Sequence, residues 1–372
     1  MSAVSANCDT AVCTPRQTVW MLRTFRALLS IALMIPRVLV ARTIFLCGRS
    51  RLQRRPILFF CAGKEPNLLR LKECAEWLKV RYEILDIALL RESQITSSID
   101  HAIASHDLNS GGSAMPFEFS GVWNRGFTFG SLPSERTAEN LIYFEWKYYL
   151  SYLLQDSARL ALWMNSAGSI AHSSNRLVQL RDAASFGFHV PATIVTNDPR
   201  RAREFARAHS VIAIKQICGG GDHQLADRSL STKRLTDADD YAFDQVTYCP
   251  SMLQEYIDKE LELRITIVRD HIYCAAIESQ KHERCSVDSR MFRGTGLTYY
   301  PYELDSSTKS RLIGLVRHYG LNYAAIDIIL DRQGRYVFLE VNSSGQWQGI
   351  ETFTGDNVTE TIVRALSGGL DA

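Results

Sequence analysis

The chain has 372 residues, of which 46% are hydrophobic and 22% charged, and its formal net charge is +2. This composition is that of a globular protein large enough for two or three packed subdomains, and the charge alone neither indicates nor excludes a polyanionic partner. The nine cysteines are an odd number and include no C-x-x-C pair, which argues against a disulfide framework and a zinc site and favours a reducing cytoplasm.

The first 56 residues differ in composition from the rest of the chain. They contain nine arginines, no lysine and a single acid, Asp9, among apolar runs such as ALLSIALMIP. That run is far shorter than the roughly 20 residues that span a bilayer, so no transmembrane helix is predicted. No small-residue cleavage site follows closely, which disfavours a secretory signal. We predict a basic, apolar and poorly ordered extension over residues 1–56, with weak contact to a membrane surface as the alternative.

Residues 57–160 are predicted to form an N-terminal α/β subdomain. ILFFCAG and YEILDI have the apolar runs of strands, and NLLRLKECAEWLKV between them has helical spacing, an alternation typical of a parallel sheet. The region from Arg91 to Gly121 is weakly patterned and is interpreted as a loop or insertion. GVWNRG then predicts a short strand, before a helix capped by Ser134. Trp123 and Arg125 of that strand could contact a substrate, although a tryptophan at a strand end more often packs in the core.

A second unit is predicted over residues 161–370, with a lid at about 190–256 and a C-terminal subdomain at about 257–370. SSNRLVQLRDAASFG, which precedes the lid, predicts an amphipathic helix capped by Ser174. VPATIVT and VIAIKQI then predict two strands of the lid.

A lysine and a glycine run follow the second lid strand. Lys215 stands near the end of VIAIKQI, and Gly219, Gly220 and Gly221 come shortly after it. Consecutive glycines let backbone N–H groups approach a polyphosphate, and a nearby ammonium offsets the phosphate charge. No G-K-[ST] follows, so this is not a Walker A loop. A flexible turn is the alternative interpretation of the glycines.

The run ELRITIV places two charged side chains on one face of a strand. Glu262 and Arg264 alternate there with apolar residues. A carboxylate can accept hydrogen bonds from ribose hydroxyls, and a guanidinium can bind phosphate through two parallel hydrogen bonds. The alternative is a salt bridge worth less than about 1 kcal/mol. QEYI, just before this run, is extended and could present backbone groups to a purine.

Two apolar runs near the C-terminus predict a β-hairpin. Residues 326–330 and 335–341 flank a four-residue turn of sequence DRQG. Pairing Leu330 with Arg335 places Asp327 opposite Phe338 and diagonal to the residue two positions further on.

That register gathers oxygen ligands on one face of the hairpin. Strand alternation places Phe338, Glu340 and Asn342 on a common face, within reach of Asp327. Carboxylate and amide oxygens suit Mg²⁺, which in proteins usually also holds substrate phosphates. A solvated polar face is the alternative.

These segments, in this order, resemble the ATP-grasp superfamily. More narrowly, WMN, QLRDAASFGFHVPATIVTND, AIKQ, ELRITIV, AAIDIIL and VFLEVNSSGQWQGIE resemble peptide maturases of the microviridin-ligase (graspetide) type. The resemblance covers about residues 57–370, and its last block is the most specific. It implies an α/β fold of ATP-grasp architecture, with an N-terminal α/β pre-ATP-grasp subdomain, a small lid, and a C-terminal α+β subdomain whose antiparallel sheet binds metal.

The resemblance also implies roles for individual residues. The implied Mg²⁺ ligands are Asp327, Glu340 and Asn342. Arg264 and Arg290, the latter in DSR, would face phosphate or the acyl-phosphate intermediate as catalytic residues. The implied ATP-binding residues are Arg176, Lys215, Gly220, Gly221, Glu255, Tyr256, Ile257 and Glu262.

Two positions depart from the superfamily pattern. Arg176 stands where the superfamily commonly has a second phosphate-binding lysine; arginine keeps the charge but presents a planar fork instead of a point charge. NSSG at 342–345 replaces the more usual Asn-Pro-Asn-Gly, which frees backbone that proline would fix.

The implied chemistry is ATP-dependent activation of a carboxylate as an acyl phosphate. A hydroxyl or amine of the same ribosomally made precursor peptide would then displace phosphate and form an ester or amide crosslink. The expected partner is that peptide, leader and core, or another carboxylate substrate, and a homodimer would suit the apolar helix surface. No nucleic-acid partner is expected. The alternatives are an intermolecular carboxylate–amine ligase, of the glutamate or small-peptide type, and a nucleotide-binding module without catalysis.

Overall fold

Four β-sheets with their surrounding helices make up the described part of the chain. The computed structural model describes residues 55–61, 65–86, 89, 93–100, 103–110, 113–114, 118–125, 138–215, 217, 233–236, 239–281 and 297–369. All but the last two residues of the predicted extension, and the predicted cap Ser134, lie outside these ranges. Among the helices that are described, none has the length and apolar character needed to cross a membrane.

The secondary structure alternates between strands and helices. The strands are β1 (Ile57–Cys61), β2 (Tyr82–Asp86), β3 (Gln94–Asp100), β4 (Ile103–Ser110), β5 (Ser113–Ala114), β6 (Gly121–Asn124), β7 (Leu162–Met164), β8 (Thr193–Thr196), β9 (Val211–Lys215), β10 (Lys233–Thr236), β11 (Ser251–Glu255), β12 (Lys259–Val268), β13 (His271–Ile277), β14 (Tyr299–Pro301), β15 (Tyr323–Asp331) and β16 (Tyr336–Asn342). The α-helices are α1 (Leu68–Trp77), α2 (Ala138–Ser157), α3 (Ala167–His172), α4 (Arg176–Ser185), α5 (Pro199–His209), α6 (Asp240–Asp244), α7 (Ser306–His318), α8 (Gln348–Thr354) and α9 (Val358–Leu366).

The first sheet is parallel and has the strand order β2-β1-β6-β7. Every residue of β1 and β6 is buried, as expected of a parallel sheet covered on both faces. This is why ILFFC is apolar throughout instead of alternating. Ligands of such sheets bind beyond the carboxyl ends of the strands. Asn67, Arg125 and Asn165 follow β1, β6 and β7 in the chain.

Part of the region interpreted as a loop forms a small antiparallel sheet, β3-β4-β5. β3 pairs with β4 from Gln94 opposite Asn109 to Asp100 opposite Ile103. Of the two interpretations, loop or insertion, the loop was therefore wrong for most of residues 94–114. Sequences such as QITSSID lack apolar alternation, but backbone hydrogen bonds can pair strands whose side chains are mostly polar.

The second sheet, in the predicted lid, is antiparallel with the order β10-β9-β11-β8. Helix α5 packs on it through Ala202 and Ala206, which share a core with Ile212, Leu253 and Phe243. β11 leads directly through residues 256–258 into β12 of the next sheet, so this short connection joins the second sheet to the third.

The third sheet is antiparallel, with the order β14-β13-β12-β15-β16. One face packs against α4 and α7 in a core that includes Leu263, Ile265, Ile326, Leu180 and Leu312. These residues alternate along β12 and β15 with the polar ones, so the pattern in ELRITIV was read correctly. The polar residues of the two strands consequently face away from this core.

Helix α4 begins one residue later than the sequence suggested. Asn175, not Ser174, is its N-cap, and its Oδ1 accepts hydrogen bonds from the backbone of Leu177 and Val178. The Ser174 hydroxyl instead donates to Ala171 O. An Asn side chain at this position can reach the free N–H groups of the first turn, and Arg176 becomes the first helical residue.

Asn165, which follows β7, forms hydrogen bonds that join this strand end to the third sheet. Its amide nitrogen donates to the carbonyl oxygens of Tyr323 and Ser343, both at 2.8 Å. Its side-chain oxygen accepts from the backbone N–H groups of Asn322 (2.8 Å) and Tyr323 (3.1 Å). The residue is 1% exposed, so water cannot replace these partners, and the start of β15 and the loop after β16 are held by a single side chain.

We therefore expect Asn165→Ala to lower the free energy of unfolding by about 3–5 kcal/mol, because it leaves several buried backbone groups without partners. Chemical denaturation of the full chain measures the loss. Asn175→Ala is the control: it removes an exposed N-cap and should cost about 1 kcal/mol. A loss for Asn165→Ala no larger than the control's would show that the loop is held by other contacts.

Candidate functional site

The hairpin β15–β16 brings the two predicted acidic ligands directly opposite each other. Asp327 pairs with Glu340, whereas Leu330 pairs with Tyr336. The predicted register, with Leu330 opposite Arg335 and the carboxylates diagonal, was wrong. The turn is longer by one residue, and a bulge at Leu339 adds another. Directly paired residues on adjacent strands have Cβ atoms about 4.5–5.5 Å apart, so the carboxylates lie closer than predicted.

The bulge also changes which residues share a face. Strict alternation had predicted that Phe338 shares a face with Glu340. It does not, because Phe338 pairs with Ile328 and lies in the core with Val341. An extra residue in one strand reverses the alternation beyond it. Asn342 pairs with Ala325, two positions from Asp327 and on the same face. The three predicted ligands therefore remain together although the predicted pattern was wrong at Phe338.

Each carboxylate is paired with an arginine. Arg264, opposite Asp327 on β12, donates from Nη1 to Asp327 Oδ1 at 2.6 Å. Arg176, at the start of α4, donates from Nη2 to Glu340 Oε2 at 2.5 Å. Burial works against the charge of Arg264, but the neighbouring Asp327 carboxylate raises the pKa of the guanidinium overall. Two of the predicted phosphate-binding arginines thus directly contact two of the predicted metal ligands.

The donor set fits a hard cation. Two carboxylates and the Asn342 amide oxygen supply oxygen ligands only, and Asn342 Oδ1 already accepts from the Ser344 N–H at 2.9 Å, which fixes its orientation. No group of three His, Cys, Asp or Glu suited to a metal occurs in the described ranges. Mg²⁺ at this hairpin would therefore rely on the amide and on phosphate oxygens for its remaining ligands, and the arginines would have to share their carboxylates with it.

The loop after β16 packs tightly on the same face. A Cβ atom placed on Gly345 would lie 2.4 Å from Ala325 Cβ and 2.9 Å from Arg264 Nη2. Only glycine can therefore occupy this position without moving its neighbours. Gly345 O accepts hydrogen bonds from Tyr323 Oη (2.7 Å) and Arg125 Nη2 (3.2 Å). The glycine of NSSG thus lies beside the catalytic arginine predicted on β12.

The predicted adenine-binding segment lies between the second and third sheets. Lys215 ends β9 and pairs with Met252 on β11. The Glu255 N–H donates to Ala192 O (2.8 Å), and the Tyr256 N–H donates to Val211 O (3.1 Å), so both N–H groups already have backbone acceptors. Burial raises the pKa of Tyr256, whose ring is stacked by Arg234 at 5.0 Å. Ile257 is half-buried beside it.

Glu262 begins the polar face of β12 next to this segment. Its Oε1 accepts hydrogen bonds from Ser279 Oγ at 2.7 Å and from the ammonium of Lys259, which is 4% exposed. The salt bridge considered as an alternative exists, but with Lys259 instead of Arg264. Because both contacts fix the carboxylate, a ribose would meet an oriented acceptor.

Three predicted site residues, Arg290, Gly220 and Gly221, lie outside the described residues. Two residues that sequence reasoning did not place at the site do contact it. Gln179 of α4 donates from Nε2 to Val341 O and accepts from Val341 N, both at 2.9 Å, and so holds β16 beside the helix that carries Arg176. Asn165 holds the following loop. Their only sequence signal was a polar side chain within an otherwise apolar segment.

Comparisons with known proteins agree on this region. The family model described as a RimK-like ATP-grasp domain matches residues 174–366. A probable alpha-L-glutamate ligase from Syntrophotalea carbinolica is 26% identical over 212 residues, or 55% of this chain and 66% of the relative. The probable alpha-L-glutamate ligase 1 of Shewanella oneidensis is 27% identical over 208 residues, or 54% and 66%. The match thus spans slightly less than two thirds of these relatives.

Solved structures are similar over more of the chain. A RiPP-associated ATP-grasp ligase from Chryseobacterium gregarium, in complex with ADP and a leader and core peptide, has a TM-score of 0.72 and 21% identity, covering 84% of this chain and 97% of its own. The macrocyclase MdnC from Microcystis aeruginosa, bound with precursor peptide MdnA, has a TM-score of 0.70 and 24% identity, covering 84% and 99%. These similarities establish the fold. With a family model that matches more than half of its residues, the chain belongs to the RimK-like ATP-grasp family.

Proposed function

We propose that the protein activates a carboxylate with ATP and Mg²⁺ and forms ester or amide crosslinks within a ribosomally made precursor peptide. The observation that carries this proposal is the polar face of the third sheet, where Asp327, Glu340 and Asn342 lie together beside Arg264 and Arg176. Two facing carboxylates repel each other unless cations lie between them, and this arrangement suits a cation that also holds phosphate.

The residues act in two steps. In the first, an oxygen of the substrate carboxylate attacks the γ-phosphorus of ATP, ADP leaves, and an acyl phosphate forms. Lys215, Arg264 and Arg176 stabilise the negative charge of the phosphoryl oxygens, and Arg290 belongs to the same proposed set. Asp327, Glu340 and Asn342 would hold Mg²⁺, which would supply further charge stabilisation there. Glu262 and residues 255–257 bind the nucleoside.

In the second step, a hydroxyl or amine of the peptide attacks the acyl carbon. Phosphate leaves, the nucleophile loses its proton, and one ester or amide bond forms for each ATP consumed. No side chain of the protein becomes covalently attached. This scheme matches the proposed site, in which charged and polar groups are gathered but no activated Ser or Cys nucleophile is required.

Structural similarity over 84% of the chain supports a peptide substrate, because it includes the first sheet as well as the family domain, and the similar proteins are described in complex with precursor peptides. The curated relatives favour a second candidate, an intermolecular ligase that joins a carboxylate to an amine such as glutamate. Both candidates share the nucleotide site and differ in the acceptor. A location in the cytoplasm is proposed with either.

The test is to incubate the purified chain with ATP, Mg²⁺ and an acidic peptide encoded beside its gene, and to record the mass of the peptide. We expect a loss of about 18 Da for each crosslink, since each condensation removes one water, and no loss with the Glu340→Gln variant. An unchanged peptide together with ADP formation on free carboxylates and amines would instead support the intermolecular ligase. The absence of ADP with every carboxylate would contradict both candidates.

A further inference from the structure

The side chains on the polar face of the third sheet follow a fixed order along β12. Along β12, Glu262 lies nearest the lid, Arg264 is paired with Asp327 two residues on, and Val268 at the far end is paired with Tyr323. Residues on the same face of a strand are two positions apart, so at a rise of about 3.4 Å per residue they are spaced by about 7 Å along the strand. The proposed ribose ligand, the proposed phosphate and metal ligands, and Tyr323 therefore follow one another in a line that leads away from the lid.

Arg125 lies at the far end of this line. It directly follows β6 of the first sheet, and its Nη2 donates to Gly345 O, which also accepts from Tyr323 Oη. Its guanidinium carbon is 5.0, 5.2 and 5.8 Å from the ring centres of Trp123, Tyr323 and Trp347. Since Gly345 also packs against Arg264, the two guanidiniums flank a single glycine.

The Arg125 cation lacks a carboxylate partner among the residues that the structure describes. Among the described residues no ion pair involves it, and none provides a hydrogen-bond acceptor for its buried Nε. Glu65, which accepts from the side-chain amides of Asn67 and Gln346, acts on it only at longer range. Burial lowers the pKa of Arg125, but arginine stays protonated at neutral pH.

A half-buried cation with an unused donor costs free energy, which three aromatic rings offset only in part. An anionic ligand would complete its surroundings. Asp327 and Glu340 do not serve this purpose, because they already hold Arg264 and Arg176. The position at the carboxyl edge of a parallel sheet is also where ligands of such sheets bind.

We propose that Arg125 binds the substrate carboxylate that is to be activated. This inference rests on the proposed function and adds the subsite for the acid. The order along the sheet favours a carboxylate over a phosphate of ATP: the nucleoside end lies toward Glu262 and the phosphates toward Arg264, so the group that attacks the terminal phosphate approaches from beyond it. The guanidinium fork is suited to hold one carboxylate, and the aromatic rings limit its movement.

Direct binding tests the assignment. In protein labelled with ¹⁵N-arginine and saturated with Mg·ADP, we expect the α-methylamide of N-acetyl-L-glutamate or of N-acetyl-L-aspartate, which carries only the side-chain carboxylate, to shift the Nε–H signal of Arg125, identified by its absence in Arg125→Lys. The matching uncharged compounds, the α-methylamides of N-acetyl-L-glutamine and N-acetyl-L-asparagine, should leave it unchanged. Equal shifts with the acids and the uncharged compounds, or no shift with either acid, would overturn the assignment.

Kinetics supply a second test. In Arg125→Met we expect the KM for the carboxylate substrate to rise on the order of 100-fold, since a desolvated charge pair is lost, while the affinity for Mg·ADP stays within about twofold of wild type. Tyr323→Phe is the matched control, because it removes the hydroxyl, with its hydrogen bonds to Gly345 O and to the Arg125 side chain, and leaves the cation and the aromatic ring in place. If Arg125 only braced this loop, the two variants would show the same change in KM.

The two proposals can fail separately. A wild-type chain whose Arg125 signal responds to acids, but which forms no ADP in their presence, would refute the proposed function and retain the anion site. A wild-type chain that crosslinks peptide or joins amines, with an unchanged KM for the acid in Arg125→Met, would refute the Arg125 subsite alone.

Discussion

Asp327→Asn and Glu340→Gln should each lower ATP-dependent activity by at least about 1,000-fold, equivalent to about 4 kcal/mol of transition-state stabilisation. Both substitutions keep the size of the side chain but remove a charged oxygen ligand. The two carboxylates lie directly opposite each other on adjacent strands, so either loss leaves only one carboxylate in the proposed metal site. ADP formation with a carboxylate substrate measures the effect.

Thermal melting separates this loss from misfolding. Mg·ATP should raise the melting temperature of the wild type, because it binds only the folded chain, and the rise should largely disappear in both variants. Glu360→Gln, which removes an exposed i, i+4 pair with Arg364, is a control expected to change neither activity nor the effect of Mg·ATP. Wild-type turnover in Glu340→Gln would exclude Glu340 as a metal ligand.

The hairpin shows how far alternation along a strand can predict a site. The sequence of residues 326–341 predicted two paired strands and a polar face, and both are present. The register was wrong by one residue at the turn and by another at Leu339. A bulge depends on how the strand packs on both sides, here with Phe338 and Val341 both in the core, and periodicity alone carries no information about it.

Contacts between residues far apart in the chain could not be predicted from the sequence, for a different reason. The pairing of Arg176 with Glu340 joins residues 164 positions apart, and Arg125 reaches Gly345 across 220 positions. Local propensity predicts each element but does not say which elements meet. The family resemblance suggested that Arg176 and Glu340 share a site, whereas a substrate contact was suggested for Trp123 and Arg125, with core packing as the alternative for the tryptophan. The structure places Trp123 in the core and Arg125 in contact with Gly345, which packs against Arg264.

The arginine pairs also bear on the departure from the superfamily at Arg176. A guanidinium has donors on three nitrogens, so one nitrogen can donate to Glu340 while another donates to a phosphate. A lysine would have to contact both the Glu340 carboxylate and the phosphate through a single nitrogen. Arginine at the start of α4 is therefore compatible with the proposed role. If Glu340 ligates Mg²⁺ and Arg176 binds phosphate as proposed, their contact would couple the binding of the two ligands.

Gly345→Ala should lower both stability and activity. The new methyl group would lie 2.4 Å from Ala325 Cβ, which belongs to a completely buried residue of β15, and 2.9 Å from Arg264 Nη2. Real Cβ atoms do not approach so closely, so the loop or Arg264 must move. We expect a loss of about 1–3 kcal/mol in the free energy of unfolding, as for other overpacked sites. Displacement of Arg264 from Asp327 should also reduce turnover by about 100-fold.

The chain offers both a matched control and a rescue for this effect. Gly349→Ala introduces the same methyl group four residues later, in α8, where no atom other than those of its chain neighbours and its own helix backbone lies within 4 Å, and should stabilise the protein by about 0.5–1 kcal/mol because alanine favours the helix. Ala325→Gly in the Gly345→Ala background removes the closest overlap and should restore part of the turnover, although the glycine weakens β15 by about 0.5–1 kcal/mol. If Gly345→Ala alone kept wild-type activity, the loop would not position Arg264, and its close packing would matter only for the fold.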